Sequence, residues 1–143
     1  SVGALIERRL RQLSPPAIAL ARVAAVAGVD FSIEMAEHVL KTPAVALADA
    51  WNELETAQVL RGAAFAHDLV FEATLRSLPG AIATHTHGSI AEWLERADGE
   101  PARIAVHWEA TSAPLRALPW LHKAAERAFA VRSNSDQSHP KPP

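Results

Sequence analysis

The chain has 143 residues, a formal net charge of −2, no cysteine and a hydrophobic fraction of 49%. This composition is typical of a globular protein rather than a disordered one, and the absence of cysteine excludes disulfides, thiolate catalysis and sulfur-ligated metals. The near-neutral charge argues against a dedicated surface for nucleic acid or anionic lipid, and the longest apolar run, residues 17–28, contains Arg22 and is too short to span a bilayer.

Alanine, the best helix former, accounts for thirty residues, so the composition favours an all-α protein. The chain starts with Ser-Val-Gly, without a methionine or a secretory signal, and we interpret it as one piece of a longer protein. Because cysteine is absent and no membrane segment is visible, we expect a cytoplasmic location.

The first two helices have clear local signals. Apolar residues recur at helical spacing up to Leu13, and Ser14 followed by two prolines marks the next helix start. The second helix, residues 17–27, is apolar almost all round and is therefore expected to be buried. Gly28 should cap its C-terminal end.

A third and a fourth helix should follow a short break. Ser32 is expected to cap a short helix that stops before Pro43, and a longer helix is expected over residues 44–59. The polar face of this longer helix carries Asp49, Asn52, Glu53 and Thr56.

The chain then changes character over residues 59–67, which have no helical stripe and carry Gly62 near their middle. This pattern predicts two short strands joined by a tight turn. Further helices are expected over residues 68–78, 81–97, 101–111 and 114–131.

The order of these elements predicts a mainly α protein with two units. Helix, turn, longer helix and hairpin are typical of a winged-helix domain, which we assign to residues 1–67. Antiparallel helix pairs, the beginning of a tetratricopeptide-like α-solenoid, are expected over residues 68–132. The polar, proline-rich residues 133–143 are expected to form a disordered tail.

Three stretches of the sequence carry a resemblance to a known family. They are Leu-Ser-Pro at 13–15 leading to VAAVAGVDF at 23–31, FAHDLVFEA at 65–73, and IAVHW, ALPWL and AAERA at 104–108, 117–121 and 124–128. The chain thereby resembles the segment that follows the nucleotide-binding domain in bacterial signal-transducing (STAND/AAA-type) ATPases and large LuxR-type transcriptional regulators, where F-x-H-x-L-x-x-E-A recurs. The resemblance implies a winged helix that docks on the upstream nucleotide-binding domain and relays its state to a helical sensor region.

The chain itself carries no phosphate-binding motif of the form G-x-x-x-x-G-K-[ST], and its six glycines are scattered. We therefore expect no enzymatic activity, no cofactor and no metal in this segment. The resemblance makes the upstream nucleotide-binding domain of the same protein the expected partner, with another protein as the alternative, and we expect no membrane partner.

DNA binding by a winged helix is the alternative. A recognition helix needs Arg, Lys, Asn or Gln for base edges and cations for phosphates. Residues 44–59 contain no Lys or Arg and carry Asp49, Glu53 and Glu55, so the charge argues against nucleic acid here.

Two further groups of polar residues stand out. The first helix ends in Arg8, Arg9 and Arg11, which we interpret as a solvated face or as a contact with the preceding domain. His67 and Asp68 lie where a strand enters a helix. Asp68 is expected to cap that helix and His67 to hydrogen-bond across the junction. A catalytic His–Asp pair is the alternative, but no nucleophile accompanies these residues.

The remaining histidines and the tryptophans are expected to be structural. His85 and His87 are two apart, which is not zinc-ligand spacing on a helix, and should be exposed. His107 should lie in the core with a satisfied imidazole. The tryptophans, Trp51, Trp93, Trp108 and Trp120, should supply core area.

Overall fold

The computed structural model describes residues 1–137 and Pro142, with residues 136 and 137 described by their backbone alone. The part from residue 1 to 137 forms α-helices, short 3₁₀ turns and one antiparallel pair of strands, so the predicted mainly α class with a short hairpin is confirmed. The α-helices are α1 Val2–Arg11, α2 Pro15–Ala27, α3 Ile33–Leu40, α4 Ala48–Thr56, α5 Asp68–Arg76, α6 Gly80–Arg96, α7 Pro101–Glu109 and α8 Leu118–Gln137. The 3₁₀ turns are Gly28–Asp30, Ala44–Leu47 and Pro114–Ala117, and the strands are β1 Leu60–Arg61 and β2 Ala64–Phe65.

Helix α2 is the centre of the packing, as its apolar sequence predicts. Ser14 Oγ accepts a hydrogen bond from the Ala17 amide at 3.3 Å, and Gly28 ends the helix with φ of 60°. The helix packs against α3, α4, α5 and α6, and its alanines let these neighbours approach closely. Leu20 is fully buried, and burial of one such side chain stabilises the fold by roughly 1.5–3 kcal/mol.

The third helix follows the sequence prediction and the fourth departs from it. Ser32 Oγ accepts from the Met35 amide at 3.1 Å and so caps α3. The helix predicted over residues 44–59 instead begins as the 3₁₀ turn Ala44–Leu47 and ends at Thr56. It stops early because Gln58 adopts a left-handed conformation (φ 57°), which allows the Val59 amide to bond the Leu54 carbonyl at 2.9 Å.

The predicted hairpin is present next to α4 and α5. Leu60 pairs with Phe65 and Arg61 with Ala64, and the turn uses Gly62 at φ of 62°. Leu60 is buried, and the Phe65 ring meets Phe71 of α5 edge to face at 5.5 Å, so the hairpin is fixed to the helical core.

Helices α6, α7 and α8 run as successive packed neighbours. One carboxylate joins all three, because Glu95 Oε1 on α6 accepts from Trp108 Nε1 on α7 at 2.6 Å and from Trp120 Nε1 on α8 at 3.0 Å. Trp108 is buried, and the other tryptophans are partly buried against the same core, as predicted.

The two expected units share one set of buried side chains. Helix α5 packs on α1 and α2, and α6 packs on α2 and α3. A single cluster of buried residues runs from Leu10 to Ala117 across the expected boundary at residues 67 and 68. The division into two units stays a prediction, and the described packing joins them.

Helix α8 is longer than predicted. It continues to Gln137, so residues 133–137, which we expected in a disordered tail, are helical, whereas residues 138–141 and 143 lie outside the described part. Residues 125–132 are all exposed, and a groove of about 670 Å³ separates this half of α8 from the start of α7. Among the described ion pairs, only the exposed pair of Arg127 Nη1 and Glu100 Oε1, at 3.8 Å, crosses this groove.

Candidate functional site

The predicted polar face of α4 lines an open groove. The residues of this face, Asp49, Asn52, Glu53 and Thr56, meet the connection between α1 and α2 across a space of about 650 Å³. Arg9 lines the opposite side of the same groove. The structure therefore brings one predicted docking arginine together with the predicted recognition face.

Within this groove, the Glu53 carboxylate is hydrogen-bonded to Ser14. Its Oε2 accepts from the Ser14 amide and its Oε1 from Ser14 Oγ, both at 2.7 Å. These bonds, the backbone one first, lower the pKa of Glu53 because they favour its ionised form. Glu53 therefore fastens α4 to the start of α2, while Asp49 and Glu55 remain exposed.

The three arginines of α1 do not form one patch. Arg8, Arg9 and Arg11 are all exposed in the last turn of the helix. Arg9 faces the groove beside α4, whereas Arg11 lines a separate cleft between α1, α2 and α5.

His67 and Asp68 lie at the start of α5, but they do not make the predicted contacts. His67 is the N-cap residue and Asp68 the first helical residue, so the expected cap by Asp68 was wrong. Both side chains are exposed, and neither forms a hydrogen bond among the described residues. Asp68 still places a negative charge in the first turn, which favours the helix N-terminus.

A partly buried polar chain that the sequence analysis missed joins three helical elements. Asp30, in the 3₁₀ turn after α2, accepts from Arg103 Nε at 3.0 Å and Nη2 at 2.9 Å through Oδ2. The same oxygen meets His107 Nε2 at 2.8 Å. His107 Nδ1 in turn lies 2.9 Å from His87 Nδ1 of α6. We call these four residues the Asp30 chain.

Hydrogen-bond chemistry determines the protons along the Asp30 chain. An ionised carboxylate only accepts, so His107 Nε2 carries a hydrogen. In neutral His107 the Nδ1 atom is then an acceptor, and His87 Nδ1 must donate to it. If the two rings take up one additional proton, the hydrogen bond between His87 and His107 can reverse its direction. If both rings are imidazolium, this bond is lost because both Nδ1 atoms would be donors.

Burial disfavours the charged form of both imidazoles. Desolvation lowers the pKa of His87, and the neighbouring His107 lowers it further. Desolvation also lowers the pKa of His107, outweighing the hydrogen bond to Asp30, because this residue is only 1% exposed. The prediction that His107 is a satisfied core residue is confirmed, whereas His87, which we expected to be exposed, is half-buried against it.

Part of this chain can be read from the sequence. Arg103 and His107 are four residues apart and must share one face of α7. The partner Asp30 lies 73 and 77 residues away from them, and no local pattern specifies that contact.

Two other kinds of site, a metal centre and a membrane span, are not found in the described part of the chain. Within it, no group of three or more His, Asp or Glu side chains is arranged to hold a metal ion. None of the helices described has both the length and the apolar character that a membrane span requires.

Comparison with protein families, with curated proteins and with solved structures found no match to this chain.

Proposed function

We propose that the chain is a non-catalytic docking and relay module of a larger bacterial signal-transducing ATPase or transcriptional regulator, working in the cytoplasm. Its partner would be the nucleotide-binding domain upstream, and the helices after the hairpin would carry the signal onward. The family resemblance supplies this context, and the structure supports it through one observation, the Asp30 chain.

The Asp30 chain supports a relay because it crosses the expected boundary between the two units. Asp30 lies in the 3₁₀ turn that follows the central helix of the first unit, whereas His87, Arg103 and His107 belong to the helices after residue 68. A displacement of α2 therefore acts directly on α6 and α7. Such a module switches only if the partner contacts it differently in two nucleotide states.

Two hydrogen-bonded carboxylates also support binding rather than catalysis. The Asp30 carboxylate is bonded to Arg103 and His107, and its side chain is only 11% exposed. The Glu53 carboxylate is likewise held by Ser14. These carboxylates act as ties between elements.

The alternative, a DNA-binding winged helix, is favoured by one observation, the hairpin that follows α4. Charge opposes it, since Asp49 and Glu55 are exposed on α4 and would face phosphate. A mobility-shift assay separates the two, because binding through basic residues weakens steeply as salt rises.

The first test is the coding sequence upstream of the chain in its natural gene. A G-x-x-x-x-G-K-[ST] motif following a strand is the expected result. A gene without a nucleotide-binding segment would overturn the proposal.

The second test measures binding of the chain to that nucleotide-binding segment, purified separately, with ADP and with a non-hydrolysable ATP analogue. We expect dissociation constants that differ by about fivefold or more between the two nucleotides. Asp30→Asn should shrink this difference, whereas the matched variant at an exposed position, Asp98→Asn, should preserve it. No binding in either state, or equal affinity in both, would refute the relay.

A further inference from the structure

A cleft of about 400 Å³ opens where α1, α2 and α5 meet, a volume within the range of roughly 300–1,000 Å³ typical of ligand clefts. Its floor is apolar and consists of Leu10, Leu13, Ile18 and Ala73. Leu13 and Ile18 are half-buried, so part of the floor is accessible to a partner.

Three guanidinium groups surround this floor. Arg11 and Arg76 come from the last turns of α1 and α5, and both are exposed. Arg22 of α2 donates from Nη2 to the Ser77 carbonyl at 3.1 Å and from Nε to Ser77 Oγ at 3.3 Å. Arg22 is therefore held in place beside the cleft.

The positive charge of the cleft is not neutralised by ion pairs. Among the described residues, no carboxylate oxygen lies within 4.0 Å of the Arg11, Arg22 or Arg76 guanidinium. Glu7 is the one acidic residue of the lining against these three cations. The C-terminal carbonyls of α1 and α5 carry partial negative charge, which favours arginines at these helix ends.

We propose that this cleft binds an acidic amphipathic helix of a partner protein. Apolar side chains of that helix would cover Leu13 and Ile18, and its Asp or Glu side chains would meet Arg11 and Arg76. Guanidinium groups match carboxylates in bidentate geometry, and only an amphipathic segment satisfies floor and rim together. A phosphate backbone would leave the apolar floor uncovered.

This inference rests on the proposed docking function and gives it a surface and a partner chemistry. The nucleotide-binding segment could dock elsewhere, for example at the groove beside α4. The two ideas therefore fail separately. If the natural chain binds the nucleotide-binding segment with different affinities in the two nucleotide states but selects no acidic helix, the surface is wrong and the relay stands.

The test selects displayed peptides of about 16 residues, long enough to form a helix, on the whole chain. Peptides that also bind the variant Arg11→Glu/Arg76→Glu are removed by counter-selection. A variant with the same charge change at distant exposed positions, Arg61→Glu/Arg132→Glu, is the matched control. Circular dichroism and thermal unfolding of all three proteins check that the fold is retained.

We expect enrichment of peptides with Asp or Glu beside Leu, Ile or Phe at helical spacing. Their affinity should fall about tenfold or more for Arg11→Glu/Arg76→Glu and stay within about twofold for the control. Raising the salt to about 0.5 M should weaken binding. Enriched peptides without acidic residues, equal binding to both variants, or preference for a short DNA duplex would each overturn the proposal.

Discussion

Removing the Asp30 carboxylate is the most direct perturbation of the polar chain. In Asp30→Ala the Nε2–H group of His107 loses its acceptor in a position that is only 1% exposed. Such an unsatisfied buried donor costs about 1–3 kcal/mol. Arg103 loses its ion pair as well, but this side chain is 38% exposed, so the pair adds at most about 1 kcal/mol. The free energy of unfolding should therefore fall by roughly 1–4 kcal/mol in total.

Urea unfolding followed by tryptophan fluorescence measures this loss, and the midpoint of thermal unfolding should fall by about 2–4 °C for each kcal/mol. Asp30→Asn keeps the shape and one acceptor oxygen, so its loss should be smaller than that of Asp30→Ala. Asp98→Asn, at an exposed position, should change the unfolding free energy by less than about 0.5 kcal/mol.

The reasoning is refuted if Asp30→Ala unfolds within about 0.5 kcal/mol of the natural chain. A double-mutant cycle that combines Asp30→Ala with Arg103→Gln tests the pairing itself. The two changes should be non-additive, because each removes the same ion pair. Full additivity would show that the contact contributes nothing measurable.

Three further outcomes are expected. The first concerns pH: the pKa values of His87 and His107 are lowered in the folded chain, so the unfolded chain binds more protons just below pH 6.5. The unfolding free energy should therefore decrease as pH falls from about 7.5 to 5.5. Stability that rises on acidification, or imidazole titrations by NMR above 6.5, would contradict this. Ser14→Ala should destabilise the chain by about 1–2 kcal/mol, and by more than Ser32→Ala does, because Ser14 caps α2 and also bonds Glu53. Equal losses of the two variants in urea unfolding would count against the Ser14–Glu53 bond as a stabilising contact. His87→Phe should weaken this pH dependence, because it removes one of the two imidazoles whose pKa is lowered, and an unchanged pH profile would count against that reasoning.

Much of the fold could be predicted because its boundaries depend on local chemistry. Ser14 and Ser32 accept from the amides three residues on, and Gly28 and Gly62 adopt positive φ, which their lack of a Cβ allows at little cost. These signals are contained in a few consecutive residues. Helix ends marked by them were placed correctly from the sequence.

Other boundaries have no such signal. Gln58 adopts the left-handed conformation that ends α4, although nothing in its side chain marks it as a helix terminator. The tertiary position of Val59, which is fully buried beside the hairpin, compensates for this backbone conformation. Local propensity consequently carried the predicted helix too far.

The candidate site was harder to predict than the fold. Glu53 was correctly placed on the polar face of α4, but its bond to Ser14 spans 39 residues and changes its role from an exposed charge to a structural tie. Asp30 looked like an ordinary residue after a helix cap. Its importance depends on two partners, Arg103 and His107, that only the packing of α7 brings to it.

The exposed stretch of α8 has a mechanical consequence. From Ala124 to Gln137 the helix rises by about 20 Å, at about 1.5 Å per residue. Over residues 125–132 every side chain is exposed. A tilt of about 10° about Ala124 would carry the far end of such a rod through about 3.5 Å. The base of this segment is the layer where Glu95 bonds Trp108 and Trp120, so a rotation of α8 at that layer would be enlarged at its far end.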